Sequence, residues 1–123
     1  MMTVLVADDR DASRELIRTL LEHSGYSVIE AANGAEAIQL ACENIPDLII
    51  LDLQMPTKDG FTVLRELRAD ERFKKTPIVA LTASAMIGDK ERALMEGFTA
   101  YLTKPLSLSA IRSELARLLH RGT

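Results

Sequence analysis

Short apolar segments alternate five times along this 123-residue chain with longer segments whose apolar residues recur every three or four positions. The short segments have the length and residue types of buried strands, and the longer ones have the period of amphipathic helices. The predicted strands are residues 3–7, 27–31, 47–51, 77–81 and 99–102. Such alternation is typical of an α/β domain in which helices cover both faces of a doubly wound parallel sheet. We therefore expect one domain over residues 1–123, with five strands and five helices.

The predicted helices have recognisable start and stop signals. The first ends before Gly25, and the second opens at Asn33 with Glu36 placed as in a capping box. The fourth is predicted at residues 86–96, although Gly88 lies inside it, because Gly97 is a good stop signal. The third and fifth follow from the apolar residues at 61, 64 and 67 and at 108, 111, 115, 118 and 119.

Composition excludes several classes of protein. The formal net charge is -3, from 18 acidic and 15 basic residues, so the chain has no basic excess for binding nucleic acid. The single Cys42 excludes an internal disulfide and a multi-cysteine metal site. No segment approaches the roughly 20 apolar residues of a membrane span, and the apolar run at the N-terminus is too short for a signal peptide. We expect a cytoplasmic protein that binds neither membrane nor nucleic acid.

Polar side chains follow the apolar runs of four predicted strands. Asp8 and Asp9 follow the first strand, Asp52 the third, Thr82 the fourth, and Lys104 comes just after the fifth. In open α/β sheets, ligands bind beyond the carboxyl ends of the strands. If the strand order is 2-1-3-4-5, strands 1, 3 and 4 are neighbours about 4.8 Å apart, so the acids and Thr82 lie side by side within reach of the lysine.

Each of these residues also has an ordinary interpretation. An aspartate after a strand often caps a helix or turn, Thr82 is a candidate cap for the fourth helix, and a lysine before a proline is often a solvated loop residue. The placement of acids, a hydroxyl and an ammonium at four strand ends is harder to attribute to chance. The pattern therefore favours a site.

The combination of these motifs resembles the signature of response regulator receiver domains over essentially the whole chain. The motifs are Asp8-Asp9, Asp52 followed by Met55-Pro56 and Asp59-Gly60, Thr82-Ala83 and Lys104-Pro105. The resemblance implies a flavodoxin-like fold and a role in two-component or phosphorelay signalling, as in a single-domain chemotaxis regulator or the receiver of a hybrid kinase. The phosphoryl donor would be a histidine kinase or a histidine phosphotransfer protein.

The same resemblance implies a role for each site residue. Asp52 would accept the phosphoryl group, while Asp8, Asp9, Asp52 and the backbone carbonyl of Gln54 would bind Mg²⁺. Thr82 and Lys104 would contact the phosphoryl oxygens, and the Lys104–Pro105 peptide would be cis. Thr82 and Tyr101 would switch a face formed by helix 4, strand 5 and helix 5, through which the chain would bind a downstream protein or form a homodimer.

The chemistry of the residues agrees with a magnesium site. Two carboxylates 4 Å apart repel by about 4 kcal/mol at an effective dielectric constant near 20, and a divalent cation removes that penalty. Oxygen ligands with room for water suit Mg²⁺. Phosphoryl transfer needs mainly alignment and charge neutralisation, which this set of residues supplies.

Three alternatives explain less of the sequence. An aspartyl-phosphate hydrolase of the haloacid dehalogenase type usually carries a second aspartate two residues after the nucleophile, where this chain has Gln54. A degenerate receiver that acts only as an interaction module would not need the complete set of acids, threonine and lysine. A dinucleotide-binding fold would need a glycine-rich turn after the first strand, and residues 7–13 contain no glycine. We therefore expect a chain that catalyses only its own phosphorylation and dephosphorylation.

Overall fold

Five parallel strands form one sheet in the order β2-β1-β3-β4-β5. The structure is a computed structural model that describes residues 2–83 and 86–119. The strands are β1 (Thr3–Ala7), β2 (Ser27–Ala31), β3 (Leu48–Asp52), β4 (Ile78–Thr82) and β5 (Ala100–Thr103). The helices are α1 (Asp11–His23), α2 (Gly34–Asn44), α3 (Gly60–Arg68), α4 (Asp89–Glu96) and α5 (Leu108–Leu119), with a short 3-10 helix at Glu71–Phe73. The predicted fold class and strand order are confirmed.

Helices cover both faces of the sheet and enclose two apolar clusters. One cluster joins the sheet to α2, α3 and α4 through residues such as Ile49, Leu64 and Phe98, and the other joins it to α1 and α5 through residues such as Ile50 and Leu115. All residues of β3 and β4 are buried, as expected for central strands of a sheet that is covered on both sides. The site residues at the ends of these strands therefore stand on strands that are buried along their whole length.

The third, fourth and fifth strands lie one residue later, at both ends, than the sequence predicts. Asp47 precedes β3 and ties the start of the sheet together, because its amide donates to the Thr3 carbonyl and its side chain accepts from the Thr3 amide at 2.7 Å. As a result, Asp52 and Thr82 are the last residues of their strands rather than the first residues of the loops that follow. A shift of one residue matters because successive side chains point to opposite faces of a sheet.

The second helix begins as predicted, with a variation in its cap. Asn33 is the N-cap residue, and its side chain accepts from the Glu36 amide at 2.8 Å. The Glu36 carboxylate accepts from the amide of Ala32, one residue before the position that a standard capping box uses.

The fourth helix is shorter than predicted. It begins at Asp89 rather than at residue 86, because Gly88 is its N-cap residue and has a left-handed backbone with φ of 89°. The interpretation of Thr82 as the cap of this helix is therefore wrong. Ala93 is its single buried residue, so little apolar surface holds α4 against the domain.

Arg68 anchors the other end of α4. Its guanidinium donates to the Gly97 carbonyl at 3.1 Å, to the Thr76 carbonyl at 2.8 Å and to the Thr99 hydroxyl at 3.2 Å. Burial lowers the pKa of Arg68, which is satisfied mainly by carbonyl groups. The C-terminal end of α4 is thus tied to α3 and β5, whereas its N-terminal end follows a glycine. None of the helices within the described ranges has the length and apolar character needed to cross a membrane.

Candidate functional site

Two buried carboxylates share one ammonium group at the carboxyl end of the sheet. Lys104 Nζ lies 2.8 Å from Asp8 Oδ2 and 2.8 Å from Asp52 Oδ2. Asp8 is completely buried and Asp52 is 5% exposed. The sheet holds the lysine in place, because the Lys104 amide donates to the Thr82 carbonyl at 2.8 Å. The Lys104–Pro105 peptide bond is cis.

The Asp8 carboxylate has two further donors. Ser13 Oγ donates to Asp8 Oδ2 at 2.6 Å, and the Arg10 amide donates to Asp8 Oδ1 at 2.9 Å. The predicted turn role of Asp8 is therefore present, but it coexists with the ion pair. The N-cap residue of α1 is Arg10, whose side chain makes no capping bond.

Asp52 is held by the loop that follows it. The Gln54 amide donates to Asp52 Oδ1 at 2.8 Å, and α3 packs closely against the same backbone. A Cβ on Gly60, the first residue of α3, would meet the Asp52 carbonyl oxygen at 2.7 Å. Glycine at this position is thus what lets the helix start beside the end of β3.

The three groups titrate differently because their surroundings differ. Burial raises the pKa of Asp52, and the charge of Asp8 adds to that effect against the hydrogen bonds from Lys104 and the Gln54 amide. Burial also acts to raise the pKa of Asp8, but hydrogen bonds from Lys104, Ser13 and the Arg10 amide outweigh it and the pKa is lowered. For Lys104, hydrogen bonds to Asp52 and Asp8 outweigh burial and raise the pKa. The pocket thus holds a lysine cation between two acids, and its surroundings stabilise the ionised form of Asp52 less than that of Asp8.

Asp9 completes a carboxylate cluster. One oxygen atom from each of Asp8, Asp9 and Asp52 lies within 4.8 Å of the others, and Asp9 is exposed where the other two are buried. A cavity of about 180 Å³ opens beside them, lined by Asp9, Arg10, Asp52, Gln54, Ala83 and Lys104. An all-oxygen donor set beside a cavity that admits water fits a hard divalent cation such as Mg²⁺.

Thr82 lies beside the site but faces another cavity. It is 2% exposed, and it lines a space of about 260 Å³ with Asp59, Phe61, Asp89 and Arg92, among others. The alternation of side chains along β4 explains this: Ala80 belongs to the cluster on the α3 and α4 side, and Thr82 points to the same side. The residue paired with Asp52 on β4 is Leu81, so Thr82 lies one position further along its strand. The expectation that Asp52 and Thr82 stand side by side therefore holds only for the ends of the two strands, and their side chains line different cavities.

Tyr101 lies on the same side of the sheet as Thr82. Its ring packs partly buried against the cluster that contains Phe61 and Phe98, and its hydroxyl is buried without a hydrogen-bond partner in the described parts of the chain. Burial raises the pKa of Tyr101, and the negative charges of Asp89 and Glu91 add to the shift. The structure thus places the predicted switch residues together on the α4 side of the sheet.

The sequence interpretation missed Ser13 and Arg10. Ser13 precedes the buried residues Ile17 and Leu21 by one and two helical turns, so it lies on the side of α1 that faces the sheet. A polar residue at such a position could have indicated a contact with the strand ends. Arg10 lines the cavity beside Asp9 and Asp52. The only sign of this in the sequence is that Arg10 directly follows Asp9.

Comparison with known proteins identifies the family. The sequence model of the response regulator receiver domain family matches residues 4–116 of this chain. The chain belongs to the response regulator receiver domain family. The predicted family is therefore confirmed, and with it a place among the proteins of two-component signalling.

Relatives of this receiver domain include single-domain regulators and parts of larger proteins. It is 42% identical over 106 residues to the polar-differentiation response regulator DivK of Brucella anthropi, with 86% of each chain covered. The chemotaxis protein CheY4 of Vibrio cholerae superimposes with a TM-score of 0.90 at 34% identity, covering 97% of this chain and 99% of that one. The receiver domain of a sensor histidine kinase from Pseudomonas aeruginosa, whose active-site cleft coordinates a magnesium ion, superimposes with a TM-score of 0.89 at 34% identity, covering 97% and 98%.

The opposite pKa shifts of the two acids predict opposite effects of neutralising them in magnesium-free buffer. A folded-state pKa below the ordinary value means that Asp8 stabilises the fold above its unfolded pKa, and that this stability is lost as pH falls through the folded pKa. A raised folded-state pKa means that ionised Asp52 destabilises the fold as pH rises through that pKa. At pH 7, Asp8→Asn should lower the free energy of unfolding by about 1.5 to 3 kcal/mol, the usual size for hydrogen bonds to a charged group. Asp52→Asn should raise it.

Urea denaturation at pH 7 and at stepwise lower pH measures both effects. The advantage of Asp52→Asn should shrink as pH falls and Asp52 of the wild type takes up its proton. Equal losses of stability in the two variants at pH 7 would contradict this description of the site.

Proposed function

We propose that this receiver domain accepts a phosphoryl group on Asp52 from a histidine kinase or a histidine phosphotransfer protein. The observation that carries the proposal is the placement of the Asp52 carboxylate on the wall of an open cavity, 2.8 Å from Lys104 and beside two further acids. Asp52 also has the raised pKa of a carboxylate that is only partly stabilised by its surroundings. Among the described aspartates, Asp52 is the one at the end of the central strand β3 that faces this cavity.

The reaction on Asp52 is a displacement at phosphorus. A carboxylate oxygen of Asp52 forms the new P–O bond while the P–N bond to the donor histidine breaks, and the imidazole keeps the bonding electron pair. The rigid strand β3 supplies alignment, and Lys104 supplies a positive charge that can turn from Asp8 and Asp52 toward the phosphoryl oxygens, because its side chain is long and flexible. Arg10 lines the same cavity as Asp52 and Lys104.

Asp8, Asp9, Asp52 and the backbone carbonyl of Gln54 are the groups that would hold Mg²⁺. A cation held by these groups would supply positive charge to the transferring phosphoryl group. The three clustered carboxylates support this role, and so does the magnesium ion in the cleft of the Pseudomonas aeruginosa receiver domain. The role of the Gln54 carbonyl remains a prediction from the resemblance.

The alternative of an aspartyl-phosphate hydrolase finds no support at Gln54. Its side chain is exposed, and an amide cannot shuttle the proton that a second acid would carry. The proposed chemistry is therefore limited to the chain's own phosphorylation and dephosphorylation. The cytoplasmic location and the absence of a nucleic-acid partner stay predictions from the sequence.

Mapping the modified residue tests the proposed reaction. The protein is incubated with Mg²⁺ and a small acyl phosphate, and peptides are analysed by mass spectrometry. We expect a gain of one phosphoryl group on Asp52 and none in Asp52→Asn. Asp59→Asn is the matched control, because Asp59 is an exposed aspartate that caps α3 seven residues away, and it should be modified as the wild type is. Modification of Asp52→Asn at the wild-type level would refute the assignment.

We further propose that phosphorylation is transmitted through Thr82 and Tyr101 to the face formed by α4, β5 and α5. A phosphoryl group adds about 1.5 to 2 negative charges and new acceptor oxygens, toward which the Thr82 hydroxyl can turn. That rotation takes Thr82 away from the cavity that it shares with Asp89 and Arg92, and Tyr101 on the same side can move toward the space. No side chain caps the N-terminal end of α4 at Gly88, whereas Arg68 binds the Gly97 carbonyl at its C-terminal end. We therefore expect the N-terminal end of α4 to move more easily.

The same face carries exposed apolar side chains suited to protein contacts. Met86, Ile87 and Met95 are 74%, 106% and 88% exposed. Side chains of this kind on one helix and its preceding loop are typical of an interaction surface. We propose that it binds the downstream protein or a second copy of the chain.

Thr82→Ala separates phosphorylation from its transmission. The variant should still accept the phosphoryl group on Asp52, because Thr82 lines a different cavity, but the change at α4 should be reduced. A complete switch from 1:99 to 99:1 requires about 5.5 kcal/mol, so loss of one hydrogen bond should leave a mixed population. Amide chemical shifts of the described residues between 86 and 103, recorded by NMR with and without phosphorylation, report the effect. Equally large shifts in wild type and variant would show that Thr82 does not couple the two regions.

A further inference from the structure

Ser13 makes the shortest hydrogen bond to the acid cluster. It is the third residue of α1. It lies on the same face of the helix as the buried residues Ile17 and Leu21, one turn closer to the start of the helix than Ile17. Ser13 Oγ donates to Asp8 Oδ2 at 2.6 Å. A hydroxyl at a sheet-facing position of this helix therefore points at a completely buried carboxylate.

The donors to the Asp8 carboxylate differ in whether they also bind another acid. The Arg10 amide belongs to the backbone and holds Oδ1 at 2.9 Å. Lys104 divides its ammonium group between Asp8 and Asp52, at 2.8 Å from each. Ser13 is the one side-chain donor to the Asp8 carboxylate, among the described residues, that makes no hydrogen bond to Asp52. If Lys104 turns toward another group, Ser13 and the Arg10 amide continue to fix the rotamer of Asp8.

We infer that Ser13 is a positioning residue for divalent cation binding, acting through Asp8. The inference rests on the proposed function, because it concerns the same acid cluster. By fixing the Asp8 carboxylate and stabilising its anion, the hydroxyl keeps a ligand oxygen aimed toward Asp9 and Asp52. Groups that orient a metal ligand in this way typically change metal affinity 10–100-fold when removed.

Calorimetric titration of Mg²⁺ into the intact protein tests this inference. Ser13→Ala should weaken Mg²⁺ binding by about tenfold or more. Ser13→Thr keeps the hydroxyl and should bind Mg²⁺ within about twofold of the wild type. Ser24→Ala is the matched control: it removes the same group from the end of the same helix, where Ser24 Oγ donates to the Leu20 carbonyl at 3.0 Å, and it should leave the affinity unchanged.

A second variant separates positioning from a loss of folding. Ser13→Cys keeps a side chain of similar shape but replaces the hydroxyl with a weak donor, so it should also bind Mg²⁺ more weakly while still unfolding in one cooperative transition in magnesium-free buffer. If the wild type binds Mg²⁺ and Ser13→Ala or Ser13→Cys binds it equally or more tightly, the inference is overturned. If the wild type itself does not bind Mg²⁺, the proposed magnesium site is wrong, which is a separate result.

Discussion

The contact of Lys104 with Asp8 and Asp52 is the interaction on which the site depends. Two buried carboxylates at the ends of adjacent strands repel each other, and an unpaired buried charge is costly, so the fold requires a cation between them. The ammonium group of Lys104 supplies it at 2.8 Å from each acid. The position of β5 at the sheet edge brings this lysine to them, and the hydrogen bond that the Lys104 amide donates to the Thr82 carbonyl fixes the strand end that carries it.

This arrangement combines rigid and movable parts. The acids stand on β1 and β3, whose apolar residues are buried, whereas Lys104 has a flexible side chain and α4 buries only Ala93. Regions with few buried contacts open or shift at low free-energy cost. The proposed transmission from Asp52 through Thr82 to the N-terminal end of α4 agrees with this division, because it needs no movement of the sheet.

Local periodicity predicted the strands and helices of the sheet and the polar residues at the strand ends. The order of the strands, and with it the meeting of Asp8, Asp9, Asp52 and Lys104, followed only once the flavodoxin-like fold implied by the resemblance was assumed. Sequence patterns did not predict the side on which Thr82 lies, since that depends on strand register: one residue separates Leu81, packed toward α5, from Thr82 on the α4 side. The predicted start of α4 was wrong because Gly88, which a helix interior can accommodate, instead has a left-handed backbone and caps the helix. Ser13 was missed because its bond to Asp8 depends on how α1 docks on the sheet.

If Asp8, Asp9 and Asp52 bind a divalent cation in the folded chain, that cation should add to the stability that the ion pairs of Lys104 already provide. The free energy of unfolding, measured by urea denaturation at pH 7 over a series of Mg²⁺ concentrations, tests this central claim most directly. The free energy of unfolding should rise by about 2.7 kcal/mol at 100 times the dissociation constant, if the unfolded chain does not bind the ion, and should rise much less in Asp9→Asn. Stability that does not change with Mg²⁺, or that rises equally in wild type and Asp9→Asn, would contradict this claim.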